Sequence, residues 1–202
     1  MHSPTPVRTF GLVNRLICLG LLIAVASTSA RGAVYYINNA TTNGDVYTTA
    51  VGSDANNGLT PATPKLTFTN LFASYTLGAG DTVYIDTGVY TNTYTVSVTT
   101  SGSATNPLVF LGSTNYAAGG TVLDRNNASA DVWSLSSVSH VWLQHLTLRG
   151  GRDGVLLSTA NDIRLERVIA RNNSRHGVYV SPNSHRALMW NFIAVNNSSF
   201  QV

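Results

Sequence analysis

Three segments of this chain can be written one beneath another. Val141-Trp142-Leu143-Gln144-His145-Leu146-Thr147-Leu148 aligns with Ile163-Arg164-Leu165-Glu166-Arg167-Val168-Ile169-Ala170 at an offset of 22 residues. The second aligns with Ala187-Leu188-Met189-Trp190-Asn191-Phe192-Ile193-Ala194 at an offset of 24. Apolar residues fall in four columns, Val141/Ile163/Ala187, Leu143/Leu165/Met189, Leu146/Val168/Phe192 and Leu148/Ala170/Ala194. Within a row they alternate, which is the period of a strand with one buried face. One extra residue between the second and third columns marks a corner. A further strand follows in each turn: Asp153-Gly154-Val155-Leu156-Leu157 matches His176-Gly177-Val178-Tyr179-Val180 at an offset of 23. Between strands stand Gly150-Gly151, Asn172-Asn173 and Asn196-Asn197. Asparagine tolerates the left-handed angles of a turn, and stacked asparagines can bond through their amides from one turn to the next.

Three short strands in 22–24 residues are too few to bury an apolar face alone. Stacked about 4.8 Å apart, such turns share one continuous core. The predicted fold is therefore all-β, a right-handed parallel β-helix. A leucine-rich repeat has a similar period, but its fixed Leu and Asn pattern is missing here. An antiparallel sandwich does not require columns at a constant offset.

The region before the repeat predicts a lid for the open end. Residues 34–37, 82–85, 88–90 and 107–111 read as strands. Residues 65–75 (KLTFTNLFASY) carry Phe68, Leu71, Phe72 and Tyr75 at helical spacing after Pro64,. A short amphipathic helix laid across the first rung would cover its apolar cross-section. Residues 1–30 have the layout of a signal peptide: Arg8 and Arg15, the apolar run LICLGLLIAVA, then small residues, with cleavage after Ala30 or Gly32,. That run is shorter than the roughly 20 apolar residues of a membrane span. The expected divisions are residues 1–30 as signal peptide, 31–107 as cap and first strands, and 108–202 as rungs. The expected location is outside the cell, at its surface or in the periplasm. The repeat runs to the last residues without a capping pattern, so a truncated chain, or self-association through that end, is expected.

Composition narrows the chemistry. Cys18 is the only cysteine and lies in the signal segment, so thiol chemistry and cysteine metal sites are not expected,. Residues 31–124 hold Arg31 and Lys65 against five aspartates, whereas residues 125–202 hold eight arginines against Asp131, Asp153, Asp162 and Glu166. The later half is thus modestly basic; nucleic acid is an unnatural partner for an exported protein, an anionic polysaccharide a more natural one, and a merely solvated surface more natural still.

The runs VGSDANNGLTPATPKLTF, GAGDTVYIDTGVY, NPLVFLGS and TVLDRNN, followed by HVWLQHLTLRGGRDGVLLSTANDIRLERVIARNNSRHGVYV, resemble exported bacterial β-helix proteins of the pectin-lyase-like superfamily. The resemblance covers residue 34 to the end. It implies the β-helix fold and points toward polysaccharide lyases, glycoside hydrolases or epimerases; fold alone does not carry an activity.

The aligned turns place Asp153 and His176 in one slot, Arg149 beside Arg171, and Arg152 near Arg175. Read functionally, Asp153 and His176 are acid/base candidates, and the four arginines are candidate ligands for sugar carboxylates. Read structurally, an Asp or His before Gly-Val is turn chemistry and exposed arginines are solvated. Arg175-His176-Gly177-Val178 and Asp153-Gly154 faintly resemble polygalacturonase segments. That family's paired-Asp and Arg/Lys segments are missing, and Asp153 lacks the second carboxylate that glycoside hydrolysis needs. His140, His145 and His185 are scattered and show no zinc pattern. No cofactor is evident: Asp54 with Asn56 and Asn57 offers oxygens to Ca²⁺ but reads better as an Asx turn. Trp133, Trp142 and Trp190 are candidate sugar platforms. The sequence thus supports a secreted protein binding or cleaving an acidic polysaccharide, lyase-like, against a non-enzymatic surface adhesin.

Overall fold

The computed structural model describes residue 2 and residues 32–199; residues 1 and 3–31, which hold Cys18 and nearly all of the stretch read as a signal peptide, and residues 200–202 lie outside the described residues. Almost every element is a strand of three to five residues. The first is β1 (Val34–Ile37), followed after a long loop by helix α1 (Phe68–Ser74). Then come β2 (Thr82–Ile85), β3 (Gly88–Thr91) and β4 (Val96–Val98), and β5 (Leu108–Gly112), β6 (Thr121–Asp124) and β7 (Trp133–Ser136). The next turns are β8 (Val141–Gln144), β9 (Leu146–Arg149) and β10 (Val155–Ser158), and β11 (Arg164–Glu166), β12 (Ile169–Arg171) and β13 (Val178–Val180). Strands β14 (Leu188–Trp190) and β15 (Ile193–Val195) end the described chain.

The strands stack into three parallel sheets. Sheet A has the order β1-β2-β5-β8-β11-β14, sheet B β15-β12-β9-β6-β3 and sheet C β13-β10-β7-β4. Each complete coil among the described residues contributes one strand to each sheet, which is a parallel β-helix. The columns read from sequence are its registers: Leu165 pairs with Leu143 and Met189, Ala170 with Leu148 and Ala194, Val155 with Val178. The first complete coil, β2–β4, lies within the segment 31–107 read as cap and first strands. Among the described residues no helix is long and apolar enough to cross a membrane.

Corners are made by backbone geometry more than by glycine. His145, Arg167 and Asn191, the extra residues of the alignment, have φ of 57°, 52° and 50°. This left-handed region is costly for most L-residues and is held here by the ladders on either side. At the next corner Asn172 and Asn196 take φ of 54° and 53°, and Gly150 takes 71°. A Cβ on Gly150 would come within 2.5 Å of an Asp124 oxygen. Beside them runs the asparagine ladder: Asn173 Nδ2 donates to Asn197 Oδ1 at 3.0 Å, and the Gly151 N–H donates to Asn173 Oδ1 at 3.1 Å.

Helix α1 closes over the core as expected. Thr67 caps it by accepting from the Asn70 N–H, and Asp54 accepts from the N–H groups of Leu66 and Thr67. Phe68 and Leu71 are buried. Phe68 packs edge-on against Trp133, whose ring meets Phe110 at 5.0 Å, and Phe110 meets Phe72 at 6.4 Å. Trp133 is fully buried, so among the three tryptophans it is core and not a sugar platform. The long loop after β1 is pinned by Asp86. Its buried carboxylate accepts from the N–H groups of Val46, Tyr47 and Thr48 at 2.6–2.8 Å.

Candidate functional site

Asp131, Asp153 and His176 stand one above another at the corner that leads into sheet C, because Val132 donates to the Asp153 carbonyl and Gly154 to that of His176. Arg152 clamps Asp131 through two bonds of 3.0 and 2.8 Å. Arg175 clamps Asp153 in the same way at 3.0 and 2.5 Å. Asp153 Oδ1 also accepts from the His176 N–H at 3.1 Å and meets His176 Nδ1 at 2.8 Å. The corner therefore brings Asp153, His176, Arg152 and Arg175 together. Each carboxylate is held by the arginine of the following coil. Asp153 exposes 0% of its side chain. Burial pushes its pKa up, but the Arg175 guanidinium and the two bonds from His176 outweigh burial, and the net direction is downward,. It is a buried, ionised anchor whose oxygens are all in use.

Arg149 and Arg171 lie elsewhere. They are register partners on β9 and β12 and share the outer face of sheet B. Arg149 donates to Asp124 at 2.9 Å. The other arginine ion pairs of the described residues involve Arg152, Arg164, Arg175 and Arg186. Arg167 and Arg171 have no carboxylate partner among the described residues.

Along the same face, at the corner between sheets A and B, is a group that no repeat announces. The loop after β5 makes a short 3-10 turn, Tyr116–Ala118. Asn115 accepts from the Ala118 N–H, and its Nδ2 donates to the Gly44 carbonyl at 2.9 Å, which ties the turn to the loop after β1. Tyr116 is thereby carried over His145. Its hydroxyl is hydrogen-bonded to His145 Nδ1, and the rings stack with centroids 5.9 Å apart. Burial lowers the His145 pKa, and the Arg167 charge adds to this against the opposing pull of Glu166. A groove of about 220 Å³ runs alongside, lined by Tyr116, Arg167, Ile169, Asn191 and Ile193. A smaller pocket lined by Tyr116, His145, Arg167 and Ile169 adjoins it. Sequence reading weighed His145 only as a scattered histidine without a zinc pattern and did not single out Arg167; Tyr116 lies in a loop outside the repeat and carried no signal.

The remaining candidates have structural partners. Asp54 Oδ1 is occupied by backbone donors, and Asn57 Oδ1 accepts from Leu59 and Thr63. Trp142 and Trp190 do face outward, and Arg164 lies between them with its guanidinium 4.9 and 5.6 Å from the two rings.

Three parallel sheets wound around one core define a right-handed parallel β-helix protein. No protein-family model and no curated protein matches the sequence. Among solved structures the chain is similar to pectate lyase Pel9A, with a TM-score of 0.59 and 15% identity over 80% of this chain and 40% of that one. A rhamnogalacturonan lyase is also similar, with a TM-score of 0.47 and 16% identity over 81% of this chain and 51% of its own. This chain spans at most about half the length of either. The likeness to Pel9A is one of fold.

Proposed function

We propose that this is an exported protein that binds an acidic polysaccharide along the outer face of sheet B, and that it is lyase-like in type. The observation that carries the reading is the strip Arg171, Arg149 and Arg167, two of whose guanidiniums are free of protein carboxylates among the described residues. A guanidinium fork pairs with a sugar carboxylate through two parallel bonds, and successive uronate units present such carboxylates repeatedly. Strand-face residues of a solenoid form an extended surface suited to a polymer. The N-terminal signal-like segment and the fold shared with a pectate lyase support the same reading.

The non-enzymatic alternative, a surface adhesin, is favoured by one observation: Asp153 and His176 are engaged with Arg175 and with each other. The test is retention of the full chain on immobilised polygalacturonate and alginate. Wild type should be retained and released by salt. Arg149→Ala combined with Arg171→Ala should abolish retention, and unchanged retention of that double variant would remove the assignment.

A further inference from the structure

We propose that Tyr116 and His145 form the proton-transfer pair of a β-elimination on a uronate-containing polysaccharide, with Arg167 holding the carboxylate of the unit that is cleaved. This rests on the polysaccharide reading above and gives it a site and a reaction.

The geometry requires nothing from the Asp153 corner. Tyr116 is 52% exposed and stands at the rim of the groove, so its oxygen is reachable from solvent. The same oxygen is already bonded to His145 Nδ1, which makes the two side chains one relay. With Tyr116 as donor, neutral His145 carries its own proton on Nε2 and has a lone pair on Nδ1. Partial burial and the neighbouring Arg167 charge both favour this neutral form. Arg167 is exposed and free of carboxylates among the described residues, and it lines the groove together with Tyr116. Ile169 and Ile193 supply an apolar floor along β12 and β15 against which the C–H face of a sugar ring can lie.

The step balances within these groups. Tyr116 oxygen removes the proton at C5, next to the carboxylate, while its own proton passes to His145 Nδ1. The electrons of the C5–H bond become the C4=C5 double bond, and the C4–O4 bond breaks with its pair moving to O4. His145 returns its proton through Tyr116 to O4. The net change is transfer of one proton from C5 to the leaving oxygen, with both side chains restored and no oxidant or water consumed. Arg167 offsets the charge that builds on the carboxylate as C5 is deprotonated, which is where electrostatic stabilisation acts.

The test is absorbance near 235 nm, the signature of the new C4=C5 bond, with full-length protein mixed separately with polygalacturonate and with alginate. Co-sedimentation with each polymer is measured in parallel. Wild type should produce the chromophore. Tyr116→Phe keeps the ring stack and removes only the hydroxyl; it should lower the rate at least 100-fold while binding and Tm stay unchanged. His145→Gln should fall similarly, and Arg167→Ala, which removes both the hold on the bound carboxylate and the offset of the charge that builds on it, should raise KM and lower kcat together. A Tyr116→Phe rate within twofold of wild type would overturn the pair. Wild type that binds but yields no chromophore on either polymer would overturn the elimination and leave the binding reading standing. Wild type that binds neither polymer would overturn both.

Discussion

Two corners of this β-helix carry the same residue types and use them in opposite ways. At the corner before sheet C, two arginines meet two aspartates and a histidine, and the donors and acceptors satisfy one another. At the corner between sheets A and B, His145 bonds to Tyr116, Arg167 has no carboxylate partner among the described residues, and an open groove adjoins them. The first arrangement clips one coil to the next. The second leaves a cation and a hydrogen-bonded tyrosine–histidine pair beside an open groove. Residue type alone does not separate the two corners; what does is whether an aspartate stands one coil below the arginine.

The strongest test of that contrast is Asp153→Ala. It leaves Arg175 without its clamp and strands a buried His176 N–H. Removing one member of a buried pair costs several kcal/mol; with Arg175 itself partly solvated, about 2–3 kcal/mol is expected here. For a domain of this size that lowers Tm by roughly 6–10 °C. Glycan retention, measured below the new Tm, should not change. The sign with pH follows from the lowered pKa of Asp153, whose ordinary value is 3.8. A carboxylate with a depressed folded pKa contributes its full stability above that ordinary value and loses it as pH falls through the folded one. The gap in Tm between wild type and Asp153→Ala should therefore be constant near neutrality and close below about pH 3.8. A gap that persists at lower pH would mean that packing, and not charge, holds this corner.

How much of this was legible beforehand depended on coil length. In sheet A, Trp142 pairs with Arg164 and Arg164 with Leu188, offsets of 22 and 24, and those coils were readable as columns. Thr82 pairs with Val109 and Val109 with Trp142, offsets of 27 and 33, because loops are inserted between the same strands. Strands β3, β4 and β7 belong to these stretched coils, and an uneven period hid their place. The same insertions explain the site. Asp153, His176 and the arginines aligned because they sit in the even coils, so sequence could show that they are neighbours. It could not show that Asp153 is buried and saturated, since that depends on how the arginine side chain folds back one coil. Tyr116 arrives on an inserted loop, 29 residues from His145, and no spacing rule connects the two.

A smaller effect is expected on the open side. Arg171→Ala removes no ion pair of the described residues, so Tm should stay within error while affinity for polygalacturonate falls at least tenfold, the value of one charge-assisted bond. Arg152→Ala should do the reverse, lowering Tm through Asp131 and sparing retention. The loss at Arg171 should also shrink as salt rises, because an exposed charge is screened. If Arg152→Ala and Arg171→Ala proved interchangeable in both assays, the distinction between the two corners would collapse.

The smallest effect is predicted for a third pairing that looks like the first. Arg186 clamps Asp162 through two bonds of 2.5 and 2.6 Å, and His140 lies 3.8 Å from the same carboxylate. The bond from Arg186 holds the Asp162 pKa down, as Arg175 does for Asp153. In bond count and shape the two clamps match. They differ in water: Arg186 is 70% exposed and Asp162 27%, against a fully buried Asp153. Water supplies replacement bonds to both partners when such a pair is broken, and ordering two solvated side chains offsets what the pair contributes. Asp162→Asn, which removes the charge and keeps a residue suited to the left-handed φ of 54° at this position, should therefore leave Tm unchanged within error in thermal unfolding,. A drop comparable to that of Asp153→Ala would mean that the bidentate geometry itself, and not its removal from water, is what locks one coil onto the next.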